Sequence, residues 1–229
     1  MSRRNKLKKF SDLLTFPNVY ENFDSNPPQL SSLGEAVEMQ GKWRTAHFKN
    51  KKQLTLELAC GRGEYTLDLA RRYPDRNFIG VDIKGARIWQ GAGIALKEEL
   101  SNAAFLRTNI ELMAPFFEAG EIDEIWITFP DPFLKEKKAK RRLTSSFFLS
   151  IYRKFLKKGG TLHLKTDEPN LYEFTLETLT EDKEAKILYQ NDDIYSAPLL
   201  FEELETKTYY EKMHLAKGKT IKYVRFTIN

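Results

Sequence analysis

The stretch Leu54-Thr55-Leu56-Glu57-Leu58-Ala59-Cys60-Gly61-Arg62-Gly63 decides how the chain is read. Its first half is a short apolar run of strand length, and Gly61 and Gly63 then open a tight turn into a helical pattern. A strand that ends in a glycine turn and feeds a helix is the first unit of a doubly wound α/β sheet. Outward from it, apolar runs at 54–60, 77–83, 104–108, 124–129 and 161–166 are each too short for a typical helix. Gly, Pro, Asn or Asp bounds each one. Between them, Ile88, Trp89, Ala92, Ala95, Leu96 and Leu100 recur at helical spacing in 86–100. Phe148, Leu149, Ile151, Tyr152, Phe155 and Leu156 do the same in 145–156, and Gly159-Gly160 is expected to stop that helix. Strands alternating with helices predict a mostly parallel sheet with helices on both faces.

Towards the C-terminus the pattern predicts a strand at 185–190, a charged helical stretch at 201–210 and a final strand at 221–228. An antiparallel strand is expected there. The first 50 residues lack clear periodicity and hold Pro17, Pro27 and Pro28. They are read as a basic extension, 1–50, mobile at least to Lys9, ahead of a single domain at 51–229.

Charge narrows the function. The chain of 229 residues carries a formal charge of +5. Arg3, Arg4, Lys6, Lys8 and Lys9 form one basic run, and Lys135, Lys137, Lys138, Lys140, Arg141 and Arg142 form another that contains only Glu136 in opposition. Each nets +5, which leaves −5 for the remainder of a chain whose total is +5. Such local basicity suits a surface that meets phosphates, although basic runs serve as solvated faces about as often. No apolar run approaches the roughly 18–20 residues of a membrane span. The basic start lacks the apolar stretch of a secretory signal, and Asp12, Glu21 and Asp24 argue against a transit peptide. A single cysteine, Cys60, gives no internal disulfide, so the cytoplasm is the expected compartment. Cys60 reads as structural filler, and His47, His163 and His214 show no ligand spacing, so no metal is expected. No exposed apolar stripe decides between monomer and homodimer.

Ligands of an open parallel sheet bind beyond the carboxyl ends of its strands. Glu57 and the turn with Gly61 and Gly63 follow the first of these strands, and Asp82 the second. Asn109 follows the third, and Phe129-Pro130-Asp131-Pro132-Phe133 the fourth. The glycines allow close backbone approach, and Asp82 can accept from two ribose hydroxyls or cap the next helix. A dinucleotide would want a third glycine where Thr66 stands, and its pyrophosphate would avoid carboxylates. S-adenosylmethionine has no phosphate and is a net cation, so Glu57, Asp82 and Asp131 favour it.

The loop Phe129–Lys135, followed by 137–142 and Leu143-Thr144, resembles the bacterial tRNA (guanine-N7)-methyltransferases. The signature of that family is a Pro-Asp-Pro-Trp loop leading into a Lys/Arg-rich run. Gly80-Val81-Asp82-Ile83-Lys84, Thr166-Asp167 and Thr208-Tyr209-Tyr210-Glu211 extend the likeness from about Leu54 to the C-terminus. The resemblance implies a Rossmann-like methyltransferase fold and transfer of a methyl group to guanosine 46 of the tRNA variable loop. It implies that Glu57, Asp82, Asn109 and Asp131 contact the methyl donor. It also implies that Lys135, Asp167, Thr208, Tyr209, Tyr210 and Glu211 contact the RNA, with Lys137, Lys138, Lys140, Arg141 and Arg142 on its backbone. Three positions depart from the family: Phe133 for Trp, Ala59 for the first glycine of the turn, and Lys212 for Arg. Ala59 is expected to keep φ below zero at the strand end.

The chemistry agrees. Guanine N7 offers a lone pair and no proton, so attack on a sulfonium methyl needs no general base, and proximity and alignment carry the rate. Asp131 is expected at the methyl-transfer centre, and Asp167 orients the base through its N1–H and N2–H edge. Two rivals remain. An amino-methyltransferase would carry an (Asp/Asn)-Pro-Pro-(Phe/Tyr) loop, one proline more than Asp131-Pro132-Phe133 supplies. An inactive tRNA-binding scaffold would explain Ala59 and Phe133.

Overall fold

A computed structural model describes residues 3–229, with side chains from Leu7 onward. Its strands are β1 (Val19–Asn22), β2 (Leu30–Ser32), β3 (Glu35–Val37), β4 (Gln53–Leu58), β5 (Arg76–Asp82), β6 (Ala103–Arg107), β7 (Ile122–Thr128), β8 (Leu156–Thr166), β9 (Ala185–Asn191) and β10 (Lys222–Ile228). They form one sheet in the order β3-β2-β1-β6-β5-β4-β7-β8-β10-β9. From β1 through β8 the neighbours run parallel, while β10 is antiparallel to both β8 and β9. The chain winds outward from β4 to β5 and β6, then returns to β7 on the other side of β4. That reversal puts a crevice at the carboxyl end of β4.

Period-two alternation assigns each face. On β4, Leu54, Leu56 and Leu58 join one apolar cluster with Phe148 and Leu149 of α4 (Ser146–Tyr152) and Leu171 of α5 (Pro169–Glu181). Phe78, Phe105 and Trp126 join the other, with Leu67 of α2 (Glu64–Arg72) and Ile88 and Ala92 of α3 (Gly85–Lys97). The sheet therefore has helices on both faces. Central parallel strands buried on both sides read as near-continuous apolar runs, which is why they were visible in the sequence. No helix among the described residues is long and apolar enough to cross a membrane.

Residues 1–50, read above as an extension, contain α1 (Arg3–Leu13) and β1 to β3, and β1 adds to the sheet beside β6. Helix α1 packs on α3: the Trp89 Nε1–H donates to Asp12 at 3.0 Å, and Lys9 Nζ lies 4.3 Å from the Trp89 ring. The side chains of Arg3, Arg4 and Lys6 from the basic run lie outside the described residues.

Two local expectations change. The helix expected over 145–156 ends at Tyr152, because Phe155 and Leu156 are taken up by pairing with β7. Gly159, at φ 75°, sits in an irregular stretch of β8 and not at a helix end. A Cβ at Gly160 would lie 2.8 Å from the Lys157 carbonyl oxygen and 2.9 Å from that of Asp123. The stretch 201–210 divides into a 3-10 turn, Glu202–Glu205, and α6 (Tyr209–Leu215), which Thr208 caps by accepting from the Glu211 N–H at 3.2 Å.

One buried ion pair ties this C-terminal segment to the sheet. Lys165 of β8 and Glu211 of α6 both have fully buried side chains and meet at 2.8 Å. Lys165 Nζ also donates to the carbonyls of Leu204 (3.1 Å) and Thr206 (2.9 Å), and the Tyr195 hydroxyl donates to Glu211 at 2.6 Å. Burial lowers the Lys165 pKa, against the opposing pull of Glu211. Removing one member leaves the other charge buried and unpaired. Lys165→Met is expected to lower unfolding free energy by about 3–5 kcal/mol, and Lys165→Met with Glu211→Leu to recover much of that loss. Urea denaturation checks this, and equal losses in the single and double variants would contradict the coupling.

Candidate functional site

The turn after β4 is built on positive φ. Ala59 (57°), Gly61 (58°) and Gly63 (69°) all lie in the left-handed region. The expectation that Ala59 keeps φ below zero is therefore corrected. Cys60 N–H still pairs with the Val81 carbonyl at 3.0 Å, so the chain must turn sharply while remaining pinned to β5. A methyl side chain there costs roughly 1–2 kcal/mol relative to a relaxed conformation. Gly63 has a further reason to be glycine: a Cβ would sit 2.5 Å from the Phe105 ring.

Two carboxyl groups hold this turn. Glu57, 4% exposed, accepts from the Thr66 N–H (2.8 Å), the Thr66 hydroxyl (2.5 Å) and the Thr128 hydroxyl (2.8 Å). Burial pushes its pKa up to about 7; the hydroxyl and amide donors oppose that rise and nearby Asp82 adds to it. Asp82 accepts from the Gly61 N–H at 2.9 Å and the Lys84 N–H at 2.7 Å. Thr66, which stands where a dinucleotide fingerprint has its third glycine, thus gives its amide to a carboxyl at the start of α2. An incoming phosphate would compete with that carboxyl. Cys60 is buried, and burial together with Glu57 and Asp82 pushes its thiol well up, as a structural residue requires.

The loop after β7 forms the opposite wall. Phe129 (φ 49°) and Phe133 (φ 41°) are in the left-handed region, and the Phe133 N–H donates to Asp131 Oδ1 at 3.2 Å. Arg142 holds this loop from beneath. It is 8% exposed, donates to the carbonyls of Pro132 (3.1 Å) and Phe133 (3.3 Å), and lies 4.4 Å from the Phe174 ring. Its expected place on an RNA backbone is corrected accordingly: the guanidinium is committed to the loop. Arg141 is exposed and covers the Phe133 ring at 4.7 Å. Lys135, Lys137, Lys138 and Lys140 are exposed around the 3-10 turn Glu136–Arg141.

A cavity of about 960 Å³ joins these walls. Glu57, Gly61, Asp82, Asn109 and Asp131 border it, as do Arg141, Asp167, Thr208, Tyr209 and Tyr210. Gly63, Lys135, Lys137, Lys138, Lys140, Arg142 and Glu211 do not. Glu211 is the second correction among the expected RNA contacts. Its carboxylate is turned inward to Lys165, which removes it from the surface. Tyr209 and Tyr210 are exposed at the mouth, where Arg62 stacks over the Tyr209 ring at 5.9 Å. Asp167 ion-pairs with Lys219 and has His214 Nδ1 at 3.1 Å. Glu57 and Asp82 are the buried acids of the cavity lining, while Arg62 and Arg141 are exposed, so the interior suits a cation and the exposed cations a polyanion. Among the described residues no cluster of His, Cys, Asp and Glu could hold a metal ion.

Sequence reading missed Thr66, Thr128, Lys165, Arg62 and His214 at this site. Lys165 alone left a signal: it sits in the apolar strand 161–166 on the face opposite Leu162 and Leu164. A lysine at such a position needs a buried partner.

Residues 51–224 match a family model described as "Putative methyltransferase". A Bacteroides thetaiotaomicron protein named tRNA (guanine-N(7)-)-methyltransferase is 45% identical over 225 residues, 98% of this chain and 86% of that protein. One of the same name from Christiangramia forsetii is 45% identical over 229 residues, the full length of both. Among solved structures, the 16S rRNA methyltransferase KamB superposes with TM-score 0.59 at 14% identity, covering 85% of this chain and 96% of its own. TrmN from Thermus thermophilus does so with TM-score 0.55 at 18% identity, covering 77% of this chain and 44% of its own. At those identities the structures show a shared fold.

The buried Glu57 carboxyl gives stability a pH dependence. Its pKa is 4.5 when unperturbed and about 7 when folded, so the folded chain holds the proton more tightly. Its contribution is full below pH 4.5 and is lost as pH rises towards 7, about 3 kcal/mol in all. Glu57→Gln cannot titrate. Wild type is expected to lose thermal stability relative to this variant between pH 4.5 and 8, and a constant difference would contradict the burial argument.

Proposed function

The chain belongs to the tRNA (guanine-N7)-methyltransferase family, and on that premise we propose that it transfers a methyl group from S-adenosylmethionine to N7 of guanosine 46 in the tRNA variable loop. The observation that carries this reading is the acid-lined cavity at the carboxyl ends of β4, β5 and β7, with Asp131 in its wall and exposed basic residues beside it.

The residues fit the proposed donor. Glu57 and Asp82 place carboxyl groups at a turn whose Gly61 and Thr66 amides are already engaged, which suits a cationic, phosphate-free ligand. Asp82 would take the ribose hydroxyls, and Gly61 and Asn109 would border the nucleoside, as the family resemblance implies. When bound, S-adenosylmethionine supplies an electrophilic methyl group. Asp131, at the cavity wall opposite the glycine turn, holds the guanine with N7 towards that group. Asp167 accepts from the N1–H and N2–H edge of the base. As N7 becomes alkylated the ring acquires positive charge, and both carboxylates offset it. N7 has no proton to lose, so the rate rests on alignment. Tyr209 and Tyr210 at the mouth offer faces for stacking on a base drawn out of the RNA. Lys137, Lys138, Lys140 and Arg141 take phosphates, and Lys135 stands at the start of the same turn. A tRNA substrate points to the cytoplasm as the place of action.

The test incubates the protein with S-adenosylmethionine and unmodified tRNA, then cleaves the RNA chemically at 7-methylguanosine. Scission at position 46 is expected, and Asp131→Ala is expected to reduce it by roughly 10²-fold or more. Methylation at an exocyclic amino group would establish the amino-methyltransferase reading. Bound donor and tRNA without transfer would establish the inactive scaffold, and wild-type turnover in Asp131→Ala would remove that residue from the centre.

Phosphate contacts predict a salt signature. Lys138→Ala is expected to weaken tRNA binding and reduce the slope of log K against log salt by about one unit or slightly less. Affinities measured across salt concentrations check this, and an unchanged slope would return Lys138 to a solvated face.

A further inference from the structure

Asp167 has a neighbour that the reaction so far leaves unused. His214 of α6 has a side chain only 17% exposed, and its Nδ1 lies 3.1 Å from Asp167 Oδ2. Its ring lies parallel to that of Phe129, with centroids 6.0 Å apart and planes at 13°. The ring also borders the cavity that Asp131 lines. Three elements therefore converge on one imidazole: α6 carries it, the end of β8 supplies Asp167, and the end of β7 supplies Phe129.

The other histidines show what a purely structural one looks like here. His163 is 2% exposed and uses both ring nitrogens: Nδ1 meets the Tyr223 hydroxyl at 2.7 Å, and Nε2 meets Thr161 at 3.2 Å and Glu124 at 3.0 Å. His47 pairs with the Tyr20 hydroxyl at 2.9 Å inside an aromatic cluster with Trp43 and Phe48. His214 leaves both ring nitrogens without a hydrogen bond among the described residues, with Nδ1 buried 3.1 Å from Asp167 Oδ2. A carboxylate can only accept, so the neutral tautomer that Asp167 favours, once the ring turns to align with it, carries its proton on Nδ1. The neutral ring then carries its lone pair on Nε2.

We propose that His214 is a guanine-recognition residue, whose Nε2 accepts a hydrogen bond from the N1–H or N2–H edge of the target base. This rests on the guanine reading of the site given above. Adenine presents a lone pair at N1 and has no amino group at C2. It would leave Nε2 facing an acceptor or no partner, which disfavours the wrong base. Asp167 is then a positioning residue for His214 and takes only the donor of that edge that Nε2 leaves free, and Phe129 lies parallel to the ring.

The test is a cycle of enzyme and substrate changes. His214→Phe keeps a ring beside Phe129 and removes both nitrogens. It is measured with tRNA carrying guanine, hypoxanthine or 2-aminopurine at the target position. Hypoxanthine lacks the N2 amino group and 2-aminopurine lacks N1–H. With guanine, His214→Phe is expected to lose roughly tenfold in kcat/KM while binding S-adenosylmethionine as wild type does. Wild type is expected to lose a similar factor with the analogue that lacks the contacted donor, and His214→Phe to lose nothing further with that analogue. Additive losses with both analogues, or wild-type activity in His214→Phe, would overturn the inference while 7-methylguanosine formation by wild type left the proposed function standing. Absence of any 7-methylguanosine from wild type would overturn both. Should His214→Phe fail to bind the donor, His214→Asn is put through the same cycle with the same criteria.

Discussion

At the carboxyl end of the central strand, one buried carboxyl group takes three donors from two directions. Glu57 receives the amide and hydroxyl of Thr66 at the start of α2 and the hydroxyl of Thr128 at the end of β7. The first pair fixes the glycine turn, and the third fixes the strand from which the Pro-Asp-Pro loop departs. The two walls of the cavity are thereby held at a set separation by one side chain. Burial pushes the carboxyl pKa up to about 7, so the group is poised to respond to charge brought in beside it. It also occupies a helix-start amide that phosphate ligands of this fold would otherwise use. That single commitment disfavours a phosphate at this helix start.

A second division of labour runs through the charged motifs. Arg141 and Arg142 are adjacent, yet Arg141 faces the cavity and Arg142 grips the carbonyls of the loop. In Thr208-Tyr209-Tyr210-Glu211, the tyrosines face outward while the glutamate closes a buried ion pair with Lys165. The Thr-x-x-Glu spacing has the form of a capping box. Thr208 does cap α6, but the carboxylate goes to Lys165 and not back to the cap. That exchange anchors the C-terminal segment over α2 and the start of β5, where Arg76 of β5 meets Glu203 at 3.0 Å and the Tyr65 hydroxyl of α2 donates to the Glu203 carbonyl at 2.7 Å. The mouth of the site is thus carried on a segment locked to the sheet from below.

The central strands, their alternation with helices and the strand-end positions of Asp82, Asn109 and Asp131 were legible in the sequence, because parallel strands and glycine turns leave local patterns. β1, β2 and β3 were not, since strands of three or four residues are too short to show a period. Which arginine of an adjacent pair is buried is a tertiary fact, and no spacing rule separates Arg141 from Arg142. Ala59 escaped because backbone strain is imposed by pairing with β5 and not by local preference. His214 escaped because its partners Asp167 and Phe129 are distant in sequence, so a search for ligand spacing passes over it.

If the walls are fixed by Glu57 and Asp82 as described, the donor site is complete before any RNA arrives. The direct measurement is a calorimetric titration of the RNA-free protein with S-adenosylmethionine. Saturable binding to a single site, weakened in Asp82→Ala, is the predicted result. Binding that occurs only after tRNA is added would contradict a preformed cavity and place assembly of the site in the RNA complex.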